Sequence, residues 1–254
     1  MLVIKRIIAT LTRIYFLPDV KKETECRQIF STPKVQVSAI RTFFLQRQSV
    51  REDKIRFRAG EWELDGLYHA DHTKRGVVIT HPHPLYGGDM FNPVVEAIVA
   101  AYQKSGFATL RFNFRSTGKS TGSYDKGTGE QDDMAGAVDF LKGEGLQEIH
   151  LSGYSFGAWV NAMAMQGGLL VQGMTMVAPP VAFIDFEDGI RLPILTAVVA
   201  GNLDEFAPPE RIRPLMSQWN HDAQMDIIDG ADHFFSGFLD EITRRLVRRI
   251  QPCE

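Results

Sequence analysis

A serine hydroxyl attacks a carbonyl only when a base takes its proton and an acid orients that base. Ser155 stands in Gly153-Tyr154-Ser155-Phe156-Gly157, directly after the run Glu148-Ile-His-Leu-Ser152. That run reads as a strand, and a helix is expected from Phe156. A strand that passes through G-x-S-x-G into a helix holds the serine on a tight turn with its Oγ exposed, and the flanking glycines leave space for the strained backbone. The helix start also aims N–H groups and a partial positive charge at the same point. The motif alone does not separate a nucleophile from a glycine-bounded turn. Its context and its downstream partners do.

Those partners follow in the order acid, base. Asp204 lies in Ala200-Gly-Asn-Leu-Asp204-Glu205, just past a strand expected over 193–201, and His233 lies in Gly230-Ala-Asp-His233-Phe234, just past a strand ending at Ile228. Asp204 as a mere turn residue and His233 as a helix cap would each be unremarked alone. Neither explains why Ser155, Asp204 and His233 all fall beyond carboxyl ends of strands, where open α/β sheets place their sites. The oxyanion that forms on attack needs N–H donors. Phe156, the residue after the nucleophile, supplies one amide. The loop His81-Pro82-His83-Pro84-Leu85-Tyr86-Gly87-Gly88 supplies the other. Proline has no N–H, so His83 is the expected donor and Leu85 the alternative.

Other patterns point elsewhere and are read more plainly. His81-x-His83 after a strand has the spacing of two metal ligands, but Pro82 and Pro84 fix the backbone and the only later histidine at a strand end is His233. Gly118-Lys119-Ser120-Thr121 resembles the end of a phosphate-binding loop, yet the glycine that motif requires is Asn113 here. His150 is expected to pack or face solvent. Arg244, Arg245, Arg248 and Arg249 lie opposite an apolar stripe near a helix end, where cations suit the dipole, and read as a solvated face.

These residues need a scaffold. Two alternating runs at 54–59 and 62–69 suggest an edge hairpin. From there strands expected at 76–80, 107–112, 148–152, 173–178, 193–201 and 224–228 alternate with helices at 94–104, 131–142, from Phe156, around 209–219 and at the end. Such alternation implies a mostly parallel sheet covered on both faces. The final helix aligns Phe235, Phe238, Leu239, Ile242, Leu246 and Ile250 on one stripe. Residues 1–50 form a basic segment without a usable motif, open both to a misassigned start and to an appended element, and are taken as an N-terminal extension of unknown role. Arg13 interrupts its apolar start, so an amphipathic surface helix or a loosely attached extension is expected there rather than a membrane span.

Composition narrows the class. The chain has 254 residues, 44% hydrophobic and 23% charged, with a net charge of −3. A domain of this size buries enough surface to fold without metal or disulfide. The charge gives nucleic acid no long-range attraction. Cys26 and Cys253, the only cysteines, have no metal-ligand spacing and fit free thiols in a reducing cytoplasm.

Over residues 51–254 the sequence resembles the α/β-hydrolase superfamily, through the His81 loop, Arg115-x-x-Gly118-x-Ser120-x-Gly122, the Gly153–Gly157 elbow, and the Asp204 and His233 loops. It is most similar to small, lidless esterase-like and serine-peptidase-like members, from which it departs in having His81-Pro82 where His-Gly is usual. The resemblance implies an eight-stranded, mostly parallel sheet without a large cap domain. It also implies acyl transfer from an ester, thioester or amide through Ser155, with no cofactor and a small acyl substrate as partner. The segment 180–192 is too short for a folded cap, and Phe183 and Phe186 within it, with Tyr86, are expected to line the acyl pocket. Two readings compete: a non-catalytic binding or scaffold protein on the same fold, and a metal-dependent hydrolase using His81 and His83.

Overall fold

The computed structural model describes residues 51–186 and 189–251. The extension expected at 1–50 lies outside the described residues, as do both cysteines. The described chain runs β1 (Asp53–Ala59), β2 (Trp62–His69), β3 (Arg75–Thr80), α1 (Pro93–Lys104), β4 (Ala108–Phe112), α2 (Thr128–Gly143), β5 (Glu148–Tyr154), α3 (Phe156–Gln166), β6 (Gly173–Val177), β7 (Leu195–Gly201), α4 (Pro209–Trp219), β8 (Gln224–Ile228) and α5 (Leu239–Ile250). The eight strands form one sheet in the order β1-β2-β4-β3-β5-β6-β7-β8. Only β2 runs against the others, pairing antiparallel with β1 and β4. All other pairings are parallel.

Burial explains the order. Val77, Val78 and Ile79 of β3 are fully buried, as a strand covered on both faces requires. At the edge, β1 alternates and turns into β2 through Gly60 at φ +60°. Helix α1 begins where the sequence places it: the Asn92 side chain accepts the amide proton of Val94 at 2.9 Å and Pro93 opens the first turn. Helix α2 starts at Thr128, three residues before the expected 131. Glu130 is the reason, because its carboxylate accepts the amides of Asp125 (3.0 Å) and Gly127 (2.7 Å). In α5, Ile242 and Leu246 are buried and Thr243 donates its hydroxyl to the Ala97 carbonyl of α1 at 3.0 Å.

Between β6 and β7 the described residues carry no helix or strand, so no cap domain is built there among the described residues. No helix among the described residues is long and apolar enough to cross a membrane.

Candidate active site

Ser155 occupies the sharp turn between β5 and α3 at φ 53°, ψ −120°. A non-glycine residue there carries backbone strain of about 1–3 kcal/mol, tolerated only where its surroundings fix it. The Ser155 amide donates to the Val177 carbonyl at 2.9 Å. The flanking glycines contribute space rather than unusual dihedrals. A Cβ on Gly153 would lie 2.5 Å from the Ala158 nitrogen, and one on Gly157 would lie 2.7 Å from the His81 carbonyl.

The three sequence-selected side chains meet. His233 Nε2 lies 2.9 Å from Ser155 Oγ, and its Nδ1 lies 2.8 Å and 3.0 Å from Asp204 Oδ2 and Oδ1. A carboxylate only accepts, so Nδ1 carries the proton and the Nε2 lone pair faces the serine hydroxyl. Asp204 is held in turn by the amides of Phe206 (2.9 Å) and Ala207 (2.8 Å) on its Oδ1. Ser155 and His233 are 8% exposed and Asp204 2%, which leaves reactive atoms reachable and the carboxylate dry. The neighbouring Asp232 does different work. Its Oδ1 accepts the amides of Phe234 (3.0 Å) and Phe235 (3.1 Å) and shapes the turn.

The structure separates the two candidate donors in the loop after β3. The Leu85 amide is engaged with His83 Nδ1 at 3.2 Å, whereas the amides of His83 and Phe156 have no acceptor among the described residues. The His83 ring packs 4.7 Å from that of Phe156, and its Nε2 lies 3.0 Å from Tyr124 Oη. The loop that carries one amide is thus fastened to the residue that carries the other.

His81 is fully buried. Its Nε2 accepts the Phe114 amide at 3.1 Å and its Nδ1 lies 2.6 Å from the Pro82 carbonyl. Burial pushes its pKa down to about 4, against smaller opposing effects of the Pro82 carbonyl and Asp89. With both nitrogens of His81 and of His83 held by protein groups, the metal-ligand reading of this pair loses its donors. Among the described residues no group of three His, Cys, Asp or Glu side chains is placed to hold a metal ion.

A cleft of about 510 Å³ opens over Ser155, and Tyr86 and Phe183 line it. Phe186 does not. It is buried, its ring 5.0 Å from that of Trp219 on α4. The Ile184 amide turns back to the Pro180 carbonyl at 2.8 Å and Trp159 Nε1 donates to the Asp185 carbonyl at 3.1 Å. Past that anchor the Phe186 side chain is turned into the core. Three lining aromatics were missed in the sequence, Tyr154, Phe206 and Phe234. Their signal was available: each lies within two residues of Ser155, Asp204 or His233.

The remaining sequence patterns have structural roles. Asp65 Oδ1 of β2 accepts the Lys119 amide (2.9 Å) and the Ser120 hydroxyl (3.1 Å), so the glycine loop is tied to the sheet. Arg115 binds buried Asp133 of α2 through Nη2 at 2.8 Å and through its own amide at 2.8 Å. The arginines of α5 are not simply solvated. Arg245, Arg248 and Arg249 converge on Asp226 of β8, at 3.4, 2.6 and 2.7 Å, while Arg244 pairs with Glu241. His150 packs 4.8 Å from the Phe107 ring, as expected.

The sequence model described as "Alpha/beta hydrolase family" matches residues 77–252. The chain belongs to this α/β-hydrolase family. Among solved structures it is similar to an α/β serine hydrolase homologue from Coxiella burnetii, 31% identical, with 79% of this chain and 98% of that one covered at a TM-score of 0.73. It is also similar to an α/β serine hydrolase without lid from Xanthomonas campestris, 28% identical over 80% and 97% of the two chains at a TM-score of 0.73. An uncharacterised protein of Rickettsia prowazekii is 29% identical over 205 residues, covering 76% of this chain and 86% of its own. This α/β-hydrolase therefore has the serine-hydrolase fold, with the elbow serine at the carboxyl edge of its sheet.

Proposed function

We propose that the protein hydrolyses carboxylic esters through a covalent acyl-enzyme, with thioesters and amides as chemically related alternatives. The observation that supports this reading is the unbroken chain Ser155 Oγ, His233, Asp204, at 2.9 and 2.8 Å. Ser155 Oγ attacks the substrate carbonyl carbon while His233 Nε2 takes the hydroxyl proton. Asp204 holds the resulting imidazolium in place. Negative charge collects on the carbonyl oxygen, where the amides of Phe156 and His83 are free to donate. Collapse breaks the bond to the leaving alkoxide, and His233 returns the proton to it. Water then enters, loses a proton to His233 and attacks the acyl carbon; the acyl–Oγ bond breaks, His233 returns the proton to Ser155 Oγ, and the acid is released. Each step uses groups of this chain and needs no cofactor.

A fluorophosphonate probe tests the reading. Intact mass should rise by one adduct, mapped to Ser155, and p-nitrophenyl acetate turnover should vanish in proportion. Absence of an adduct, or an adduct unchanged in Ser155→Ala, together with no ester turnover, would favour the scaffold alternative.

A further inference from the structure

Four of the six adjacent parallel strands deliver an exposed aromatic ring to this cleft from the segment following their carboxyl ends: Tyr86 after β3, Phe183 after β6, Phe206 after β7 and Phe234 after β8. The rings form a connected arc. Tyr86 lies 6.2 Å from Phe183 at 65°, Phe183 lies 5.7 Å from Phe206 at 74°, and Phe206 lies 4.9 Å from the His233 imidazole. On the other side Tyr86 lies 4.8 Å from His83, whose ring rests on Phe156. The arc thus runs from the His233 imidazole, which bonds the Ser155 Oγ, round to the His83 ring on the loop after β3.

Packing alone does not account for it. Tyr86 is 75% exposed, Phe234 65% and Phe183 54%, so most of each ring contacts no protein. Tyr86 meets Phe183, and Phe183 meets Phe206, edge to face, and a further ring on these exposed residues would gain in the same geometry beyond simple burial. No Lys, Arg, Asp or Glu lines the cleft among the described residues, so a charged group there would lose hydration without a partner.

We infer that this arc is an aryl subsite, and that the preferred substrates are uncharged esters carrying an aromatic ring close to the scissile carbonyl. The preference between substrates rests on the hydrolase reading, but binding to the arc does not. The decisive measurement is therefore made on Ser155→Ala, which cannot turn over. Calorimetric titration with phenyl butyrate and with cyclohexyl butyrate compares a planar ring with a saturated ring of similar bulk. Phenyl butyrate should bind about tenfold more tightly. Adding Phe183→Leu, which keeps apolar bulk on an exposed position, should reduce that ratio to about twofold or less. Tyr86→Leu provides a second variant with the same expected direction. A ratio near one in Ser155→Ala, or a ratio unmoved by both leucine variants, would overturn the subsite. Discriminating binding by Ser155→Ala with no ester turnover by the unmodified protein would instead retain the subsite and remove the hydrolase reading.

Discussion

The hydroxyl of Tyr154 donates a 2.8 Å hydrogen bond to the backbone carbonyl of His233. The residue before the serine on the β5 turn thereby fastens the loop after β8 that carries the imidazole. Tyr154 is 2% exposed and its ring lies 5.5 Å from that of His233. Burial first, then the charges of Asp204 and Asp232, push its phenol well above the usual range, so it stays a donor throughout any working pH.

Tyr154→Phe removes that bond and leaves the His233 carbonyl without its donor. The imidazole should then sample orientations that miss the serine. We expect kcat to fall roughly tenfold with KM changed by less than twofold, and stability to fall by about 1 kcal/mol. Steady-state kinetics with a fluorophosphonate inactivation rate checks it, since both should fall by the same factor. A loss of stability with both rates intact would leave Tyr154 a packing residue only.

The two aspartates near His233 make a sharper pair. Asp204 touches Nδ1, whereas Asp232 accepts only amides of its own turn. Asp204→Asn should cost on the order of 10⁴ in kcat through the wrong imidazole tautomer, and Ser155→Ala on the order of 10⁶. Asp232→Asn keeps an acceptor oxygen and should cost less than tenfold by comparison with those losses. Reversal of the two aspartate effects would transfer the orienting role to Asp232.

His81 gives a pH dependence whose sign follows from its burial. Its pKa is about 4 in the folded protein against 6.5 unfolded, so the unfolded chain binds the extra proton first. Stability is therefore full above pH about 6.5 and falls as pH drops toward 4, by about 3 kcal/mol from this residue. Imidazole nitrogen NMR at pH 5.5 should show His81 neutral, with the proton on Nδ1. Urea unfolding from pH 7 to 4.5 should be less steep for His81→Gln. A His81 resonance titrating near 6.5 would contradict the assignment.

Asp226 is the acceptor on which three guanidiniums of α5 converge. Burial works to raise its pKa, but hydrogen bonds and charge from Arg249, with Arg248 and Arg245, outweigh it and hold the carboxyl below the usual value. Its contribution is thus present above pH 3.8 and lost as pH falls through the depressed folded pKa. Asp226→Ala removes the shared acceptor and should destabilise the domain by about 3 kcal/mol in urea unfolding at pH 7, with the chemistry of Ser155 untouched. An effect below about 0.5 kcal/mol would class the cluster with ordinary surface pairs.

How much of this was legible in the sequence depended on range. Local periodicity placed α1 almost to the residue because Asn92 and Pro93 cap it within the chain, and the elbow announced itself because Gly153 and Gly157 sit beside Ser155. The α2 start was missed by three residues because its determinant, Glu130, acts backwards on Asp125 and Gly127 rather than forward along the helix. The arginines of α5 read as solvated because Asp226 lies on another element, some twenty residues earlier. Phe183 and Phe186 are equivalent in sequence, and tertiary contacts separate them: Trp159 bonds the Asp185 carbonyl between them and Phe186 packs on Trp219. Tertiary partners of this kind leave no periodic signature.

The open cleft leads to the last expectation. Enzymes covered by a lid gain activity abruptly once substrate forms an interface, because the interface stabilises the opened state; a ligand with no differential affinity between two states shifts nothing. Here the segment between β6 and β7 carries no helix among its described residues, and Tyr86, Phe183 and Phe234 stand already exposed around the serine. Rate against concentration of a p-nitrophenyl ester should therefore follow a single saturating curve through the micelle threshold. Micelles will compete with the aromatic arc for monomeric substrate, so a modest decline above the threshold is consistent with an open site. An abrupt rise there would mean that some part of the chain covers Ser155 in solution, and removal of residues 1–50 would then be the first variant to make.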